Sequence, residues 1–238
     1  MKKNLAYFVF ILLSFQACVF AQTDIINSKN WQEDIDQAFS KSFIVGSSDL
    51  SQIADKLEKS WKESQDRNFA YWAAYTYNWL TIYQMNQDQK EEGSTTVQKA
   101  ISLLKGIKKK TSEDYALMAS LTSLSISFDP GKATILGSKA DNMINQAIKL
   151  NDKNLRAYLV RGRSDYYVPV KYGGGTKVES NLLKAISLKD KYSEDPMAPS
   201  WGRNQAYQVM VQYFMREERL SEAKVYCKRG LKLFPEDY

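Results

Sequence analysis

The sequence predicts an all-α fold of antiparallel helical hairpins, and three observations predict it. Apolar residues recur at three- and four-residue spacings from about Asn30 to the end of the chain, the period of helices that bury one face. Glycine (11) and proline (5) are scarce for 238 residues, which disfavours a turn-rich all-β chain. No stretch alternates polar and apolar side chains as a half-buried strand would. The 44% hydrophobic and 25% charged content is that of an ordinary folded protein and excludes a disordered or collagenous one.

The first element is an export signal. Lys2 and Lys3 give a positive start, and Leu5 to Phe15 is mostly apolar, the layout of a secretory leader. Val19-Phe20-Ala21 supplies the small residues a signal peptidase reads, so residues 1–21 are expected to be removed and the chain to begin at Gln22 in the periplasm or outside the cell. An alternative makes Cys18 a lipidated N-terminus, although Gln16 is large and polar for that role. Without its leader the formal charge falls from +6 to +4, and no later stretch is apolar enough to span a membrane.

The helices follow in order at 30–42, 49–63, 67–86, 90–108, 113–127, 138–150, 154–167, 175–188, 200–216 and 219–233. Ser47, Ser48 and Asp49 cap the second, and Ser112 with Asp114 caps the fifth. Asp129-Pro130-Gly131 and Pro169 with Gly173-Gly174-Gly175 break the chain, placing loops at 129–137 and 168–175. In the third helix Phe69, Tyr71, Trp72, Tyr75, Tyr77, Trp79 and Tyr83 surround the axis. That helix is either buried from several sides or a stacking surface, with burial the favoured reading. In the last, the apolar residues from Leu220 to Phe234 cover an arc of about 160°, wider than one buried face needs. Either its rim, Tyr226 and Leu233 or Leu220 and Leu231, stays exposed, or the preceding hairpin consumes it.

Several chemistries are excluded. With no histidine, imidazole bases, Ser-His-Asp or Cys-His nucleophile pairs and His-ligated metals are absent. Cleavage after Ala21 would leave Cys227 as the one thiol, expected as a small core residue and without a disulfide partner in a monomer. Gly173-Gly174-Gly175-Thr176-Lys177 lacks the phosphate-loop spacing and reads as a turn of positive backbone angles. The carboxylate pairs Glu91-Glu92, Glu113-Asp114, Glu194-Asp195 and Glu236-Asp237 read as exposed helix ends. Lys108-Lys109-Lys110 is too short a basic run for nucleic acid. No cofactor, no metal and no enzymatic activity is expected.

A repeat emerges in the C-terminal half. Tyr207, Met210, Val211 and Phe214 space as a first helix, and Ala223, Cys227, Gly230 and Pro235 as a second helix and its stop. Tyr158, Arg161, Gly162 and Asp165 pair in the same way with Val178, Leu182 and Ala185, and Ala140, Ile144 and Ala147 mark another second helix. Tyr77, Leu80 and Thr81 pair with Gly93, Val97 and Ala100. This pattern resembles the tetratricopeptide repeat (TPR), with insertions between repeat helices as in exported bacterial variants. Met210-Val211 departs from the family's Leu-Gly, and Cys227 from its aromatic. The resemblance implies an α-solenoid of stacked hairpins over 67–238, preceded by an N-terminal hairpin within 22–66, whose concave face binds a protein or peptide. On that face it places Arg156, Leu159, Arg163, Tyr166 and Tyr167 opposite Gln205, Gln208, Gln212 and Arg216. Two guanidinium groups beside amides and phenols suit an acidic or C-terminal peptide, unless both arginines pair with acids on adjacent helices. The rival reading is a small-ligand-binding accessory subunit of a periplasmic transporter, and a second copy docking on the last hairpin is a further expectation.

Overall fold

A computed structural model describes residues 30–188 and 197–235. The expectations on the leader, Cys18, Gln22, Glu194-Asp195 and Glu236-Asp237 lie outside them. Among the described residues ten α-helices follow one another: α1 (Trp31–Val45), α2 (Ser48–Ser64), α3 (Arg67–Asn86), α4 (Lys90–Gly106), α5 (Ser112–Leu124), α6 (Ala133–Leu150), α7 (Leu155–Tyr167), α8 (Val178–Ser187), α9 (Arg203–Arg216) and α10 (Leu220–Leu233). No strand occurs among the described residues. Each odd-numbered helix pairs with the next as an antiparallel hairpin, and α3, α5, α7 and α9 also pack side by side, giving an inner layer of first helices and an outer layer of second ones.

The caps show why the helices begin where they do. Thr111, not Ser112, caps α5: its hydroxyl accepts from the Asp114 amide while the Asp114 carboxylate accepts from the Thr111 amide. Ser112 instead donates to the Ala147 carbonyl at 2.7 Å and accepts from Asn154 Nδ2 at 2.7 Å. Asn154 caps α7 through the Arg156 and Ala157 amides. These buried bonds fasten the start of α5, the end of α6 and the start of α7 into one repeat junction.

Small residues set the helix spacing as the repeat pattern requires. Ala100, Ala147 and Ala185 are fully buried and Ala223 nearly so, and a Cβ on Gly162 would lie 2.9 Å from the Leu182 side chain. The third helix is core: Tyr71, Trp72, Tyr75 and Tyr77 are buried, and Phe69, Trp79 and Tyr83 pack partly against them.

Four expectations need correction. The stretch 129–137 is not a loop throughout, because a 3-10 turn at Pro130–Lys132 leads directly into α6 at Ala133. The glycine there, Gly137, is tolerated inside the helix and faces open space. Asp114 is buried, not exposed, held by Arg67 Nη2 at 2.8 Å as well as by Thr111. Residues 200–202 are not helical, and Trp201 enters the core ahead of α9. On the last helix Leu220, Leu231 and Leu233 are exposed while Tyr226 packs partly against the core, and Cys227 is only half-buried.

Candidate functional site

The inner face divides at α7. Toward the N-terminus it is covered by the chain's own segment 197–202, which reaches back across two repeats. The Trp72 indole N–H donates to the Met197 carbonyl at 3.0 Å, and the Trp201 indole N–H donates to the Tyr71 hydroxyl at 2.8 Å. Trp201 stacks on Tyr75 with ring centroids 5.8 Å apart, and the Ser200 amide donates to Gln32 of α1 at 2.9 Å. Burial pushes the Tyr71 and Tyr75 phenols well above their ordinary range.

Arg156 belongs to this closed half. It is only 3% exposed. Its guanidinium donates to the Pro199 carbonyl, lies 5.5 Å from the centroid of the Trp201 ring, and is 3.3 Å from the Glu113 carboxylate. The expectation that Arg156 faces an open groove is therefore corrected, and pairing with an acid on a neighbouring helix describes it instead. Leu159, completely buried and covered by Gly202, is likewise core and not groove lining. Gly202 lies close because any Cβ there would meet Leu155, Leu159 and Arg156 at 3.1–3.3 Å, at a φ of +110°.

Two turns along α7, Arg163 lies on the same helical face and meets a different environment. It is half-buried, and its Nη2 donates to Ser120 of α5 at 2.6 Å. No carboxylate lies within ion-pair distance of it among the described residues. Burial lowers its pKa below the ordinary guanidinium value, with the Tyr167 phenol pulling the other way. Beside it the Ser123 and Ser164 hydroxyls meet at 3.2 Å. Tyr166 and Tyr167 make an edge contact, with centroids 5.1 Å apart.

The structure brings one predicted pair together directly. Arg216 of α9 lies over the Tyr166 ring at 4.3 Å and donates to the Tyr166 carbonyl at 2.6 Å, with Glu217 as its counter-ion at 3.0 Å. Along α9 Gln205 and Gln208 are half-buried and Gln212 is exposed. A cavity of about 400 Å³ lies away from these residues, lined by Lys90, Glu91, Ser94, Ser127 and Phe128, and is open to solvent. No metal-binding cluster of acids and cysteine occurs among the described residues.

No family model and no curated protein sequence matches the chain. Solved structures do. A thermophilic TPR protein of Thermus thermophilus superposes with a TM-score of 0.59 at 17% identity, covering 87% of this chain and 93% of that one. The HusA haemophore of Porphyromonas gingivalis gives 0.56 at 21% identity, covering 78% and 94%. The fold is a TPR-like helical-repeat solenoid, as the resemblance implied.

Proposed function

We propose that the chain is an exported, non-enzymatic scaffold or adaptor that binds a protein or peptide segment through the open half of its concave face. The observation that carries this reading is Arg163, a guanidinium in the inner layer with a neutral hydroxyl as its acceptor and, among the described residues, no carboxylate beside it. An acidic side chain or a C-terminal carboxylate would supply the missing charge through charge-assisted hydrogen bonds. Tyr167 lies beside it, Arg216 covers the neighbouring Tyr166 and Gln212 is exposed on the adjoining α9, whereas Arg156 and Leu159 are buried earlier along α7. The exposed leucines of α10 offer a separate contact for a partner or a second copy.

The test is photo-cross-linking in the native host from a reactive residue placed at Gln212, with Lys149 on the outer layer as control. Adducts from Gln212 that fall about tenfold on Arg163→Gln support the reading, since one such bond contributes about 1.5–3 kcal/mol. Equal adducts from Lys149, or none from Gln212, reject it.

The fold likeness to a haemophore favours a second reading, a small-ligand carrier. With no histidine in the chain, iron ligation would fall to Tyr, Met or Cys. A saturable Soret shift on titration with haemin would establish that reading, and its absence would leave the scaffold.

A further inference from the structure

The loop joining α7 to α8 carries an arrangement that the concave face does not use. Val170 and Tyr172 are 75% and 73% exposed, and Val168 also faces solvent, just past Tyr167 at the end of α7. Exposed apolar side chains on a loose loop would need no explanation, but this loop is built. Asp165 accepts the Gly175 amide on its carbonyl at 3.1 Å and the Lys177 amide on its carboxylate at 2.7 Å. Gly174 lies flush on the Val168 backbone, where a Cβ would sit 1.9 Å from the carbonyl oxygen, so only glycine closes the turn. The fold thus holds three apolar groups of the loop out in water, against the ordinary drive to bury them.

We propose that this loop is a membrane-contact element that inserts into an anionic lipid surface. Three features point to lipid over a protein groove. Val170–Tyr172 form a 3-10 turn, so their side chains splay about 120° apart. A splayed tip suits an apolar medium that surrounds it, whereas a groove would take one side. Lys171 Nζ lies over the Tyr172 ring at 5.0 Å, and tyrosine paired with lysine is the composition of the bilayer interface. Lys171 and Lys177 are exposed and outside every ion pair among the described residues, so the tip complements anionic headgroups.

Its position strengthens the assignment, because stable attachment needs more than one anchor. The connections within successive hairpins share an edge of the solenoid: Phe43 at the end of α1 meets Tyr83 near the end of α3 at 5.7 Å, and Arg216 covers Tyr166. Ile44 and Val45 are exposed at one end of that edge, Met215 and Leu220 at the other. The loop stands between them in the order of the repeats, so all three groups fall along one edge.

Co-sedimentation of the chain, as its host processes it, with vesicles of phosphatidylcholine alone or mixed with phosphatidylglycerol tests this. Wild type should bind the mixed vesicles, more weakly at high salt. The Val170→Asp/Tyr172→Asp variant should lose about tenfold or more in affinity with unchanged circular dichroism. Lys171→Gln/Lys177→Gln should erase the preference for phosphatidylglycerol while leaving residual binding. Equal sedimentation of wild type and double variant, or no binding to either vesicle, overturns the proposal. So does a protein cross-linked at Tyr172 when neither vesicle is bound, which would make the loop a protein contact. Arg163→Gln should leave vesicle binding unchanged, so this outcome is separable from that of the scaffold reading.

Discussion

The two halves of the inner face are made from the same repeating unit, yet one is closed by segment 197–202 and the other, among the described residues, is left open. At Arg156 the chain supplies its own occupants, a carbonyl from Pro199, the Trp201 ring and the Glu113 carboxylate. At Arg163, seven residues later on the same helix face, the guanidinium meets a serine hydroxyl. The difference teaches that a repeat position does not define a binding residue. What else packs on the repeat decides it, and here one short segment turns half of a potential groove into core.

The strongest way to break this comparison is to remove the plug. Trp201→Ala should destabilise the chain by about 3–5 kcal/mol, as large aromatic truncations in a core do. It would also leave the Tyr71 hydroxyl without its indole donor. Urea unfolding followed by circular dichroism measures the loss, and a change within about 0.5 kcal/mol would mean that the segment only rests on the surface.

Exchanging the two arginines sharpens the contrast. Arg156→Met should cost about 3 kcal/mol, because the Glu113 carboxylate and Pro199 carbonyl lose a buried partner. Arg163→Met should cost no more than about 1 kcal/mol, since the bond it loses is to a neutral hydroxyl at a half-buried position. Parallel thermal melts decide between this asymmetry and equal losses.

The asymmetry marks the limit of what the sequence made legible. Ten helices, the small-residue contacts and the buried aromatic helix followed from periodicity, because each depends on residues a few turns apart. Arg156 and Arg163 look alike at that range. They are told apart by Pro199 and Trp201, and Trp201 lies 130 residues from its Tyr71 partner. No periodic pattern marks Trp201, and the Gly202 that follows it reads as any loop glycine. Asp114 went the same way: a helix-start acid is usually solvated, and only Arg67, 47 residues away, makes it a buried ion pair. The start of α6 was missed for a local reason, since Pro130, Gly131 and Gly137 together mimic a loop.

A smaller effect concerns acid. On α2, in the outer layer, burial works to raise the pKa of Glu58, but hydrogen bonds from Lys62, Lys99 and Tyr77 overcome it and hold the carboxyl down at about 2. A depressed folded-state pKa contributes stability above the unfolded value of about 4.3, lost as pH falls from there toward the folded value. Stability should therefore drop between those limits in wild type and less steeply in Glu58→Gln, as pH-dependent urea midpoints would record. Identical slopes would remove Glu58 as a source of acid sensitivity.

The smallest effect is expected at the far end of the open half. Leu220→Lys/Leu231→Lys should change stability by less than about 0.5 kcal/mol, because both side chains already face solvent. If α10 docks a second copy, sedimentation velocity should show a dimer in wild type and a monomer in the variant. A collapse in stability would instead place these leucines in the core.

The most direct test of the closed and open halves is the rate at which each arginine reacts with a small dicarbonyl reagent on the folded chain, followed by peptide mass spectrometry. Modification at Arg163 should be well ahead of modification at Arg156, which should stay inert until the protein unfolds. Arg156 reacting as fast as Arg163 under native conditions would show that segment 197–202 does not seal the inner face, and would contradict the division on which the proposed binding site rests.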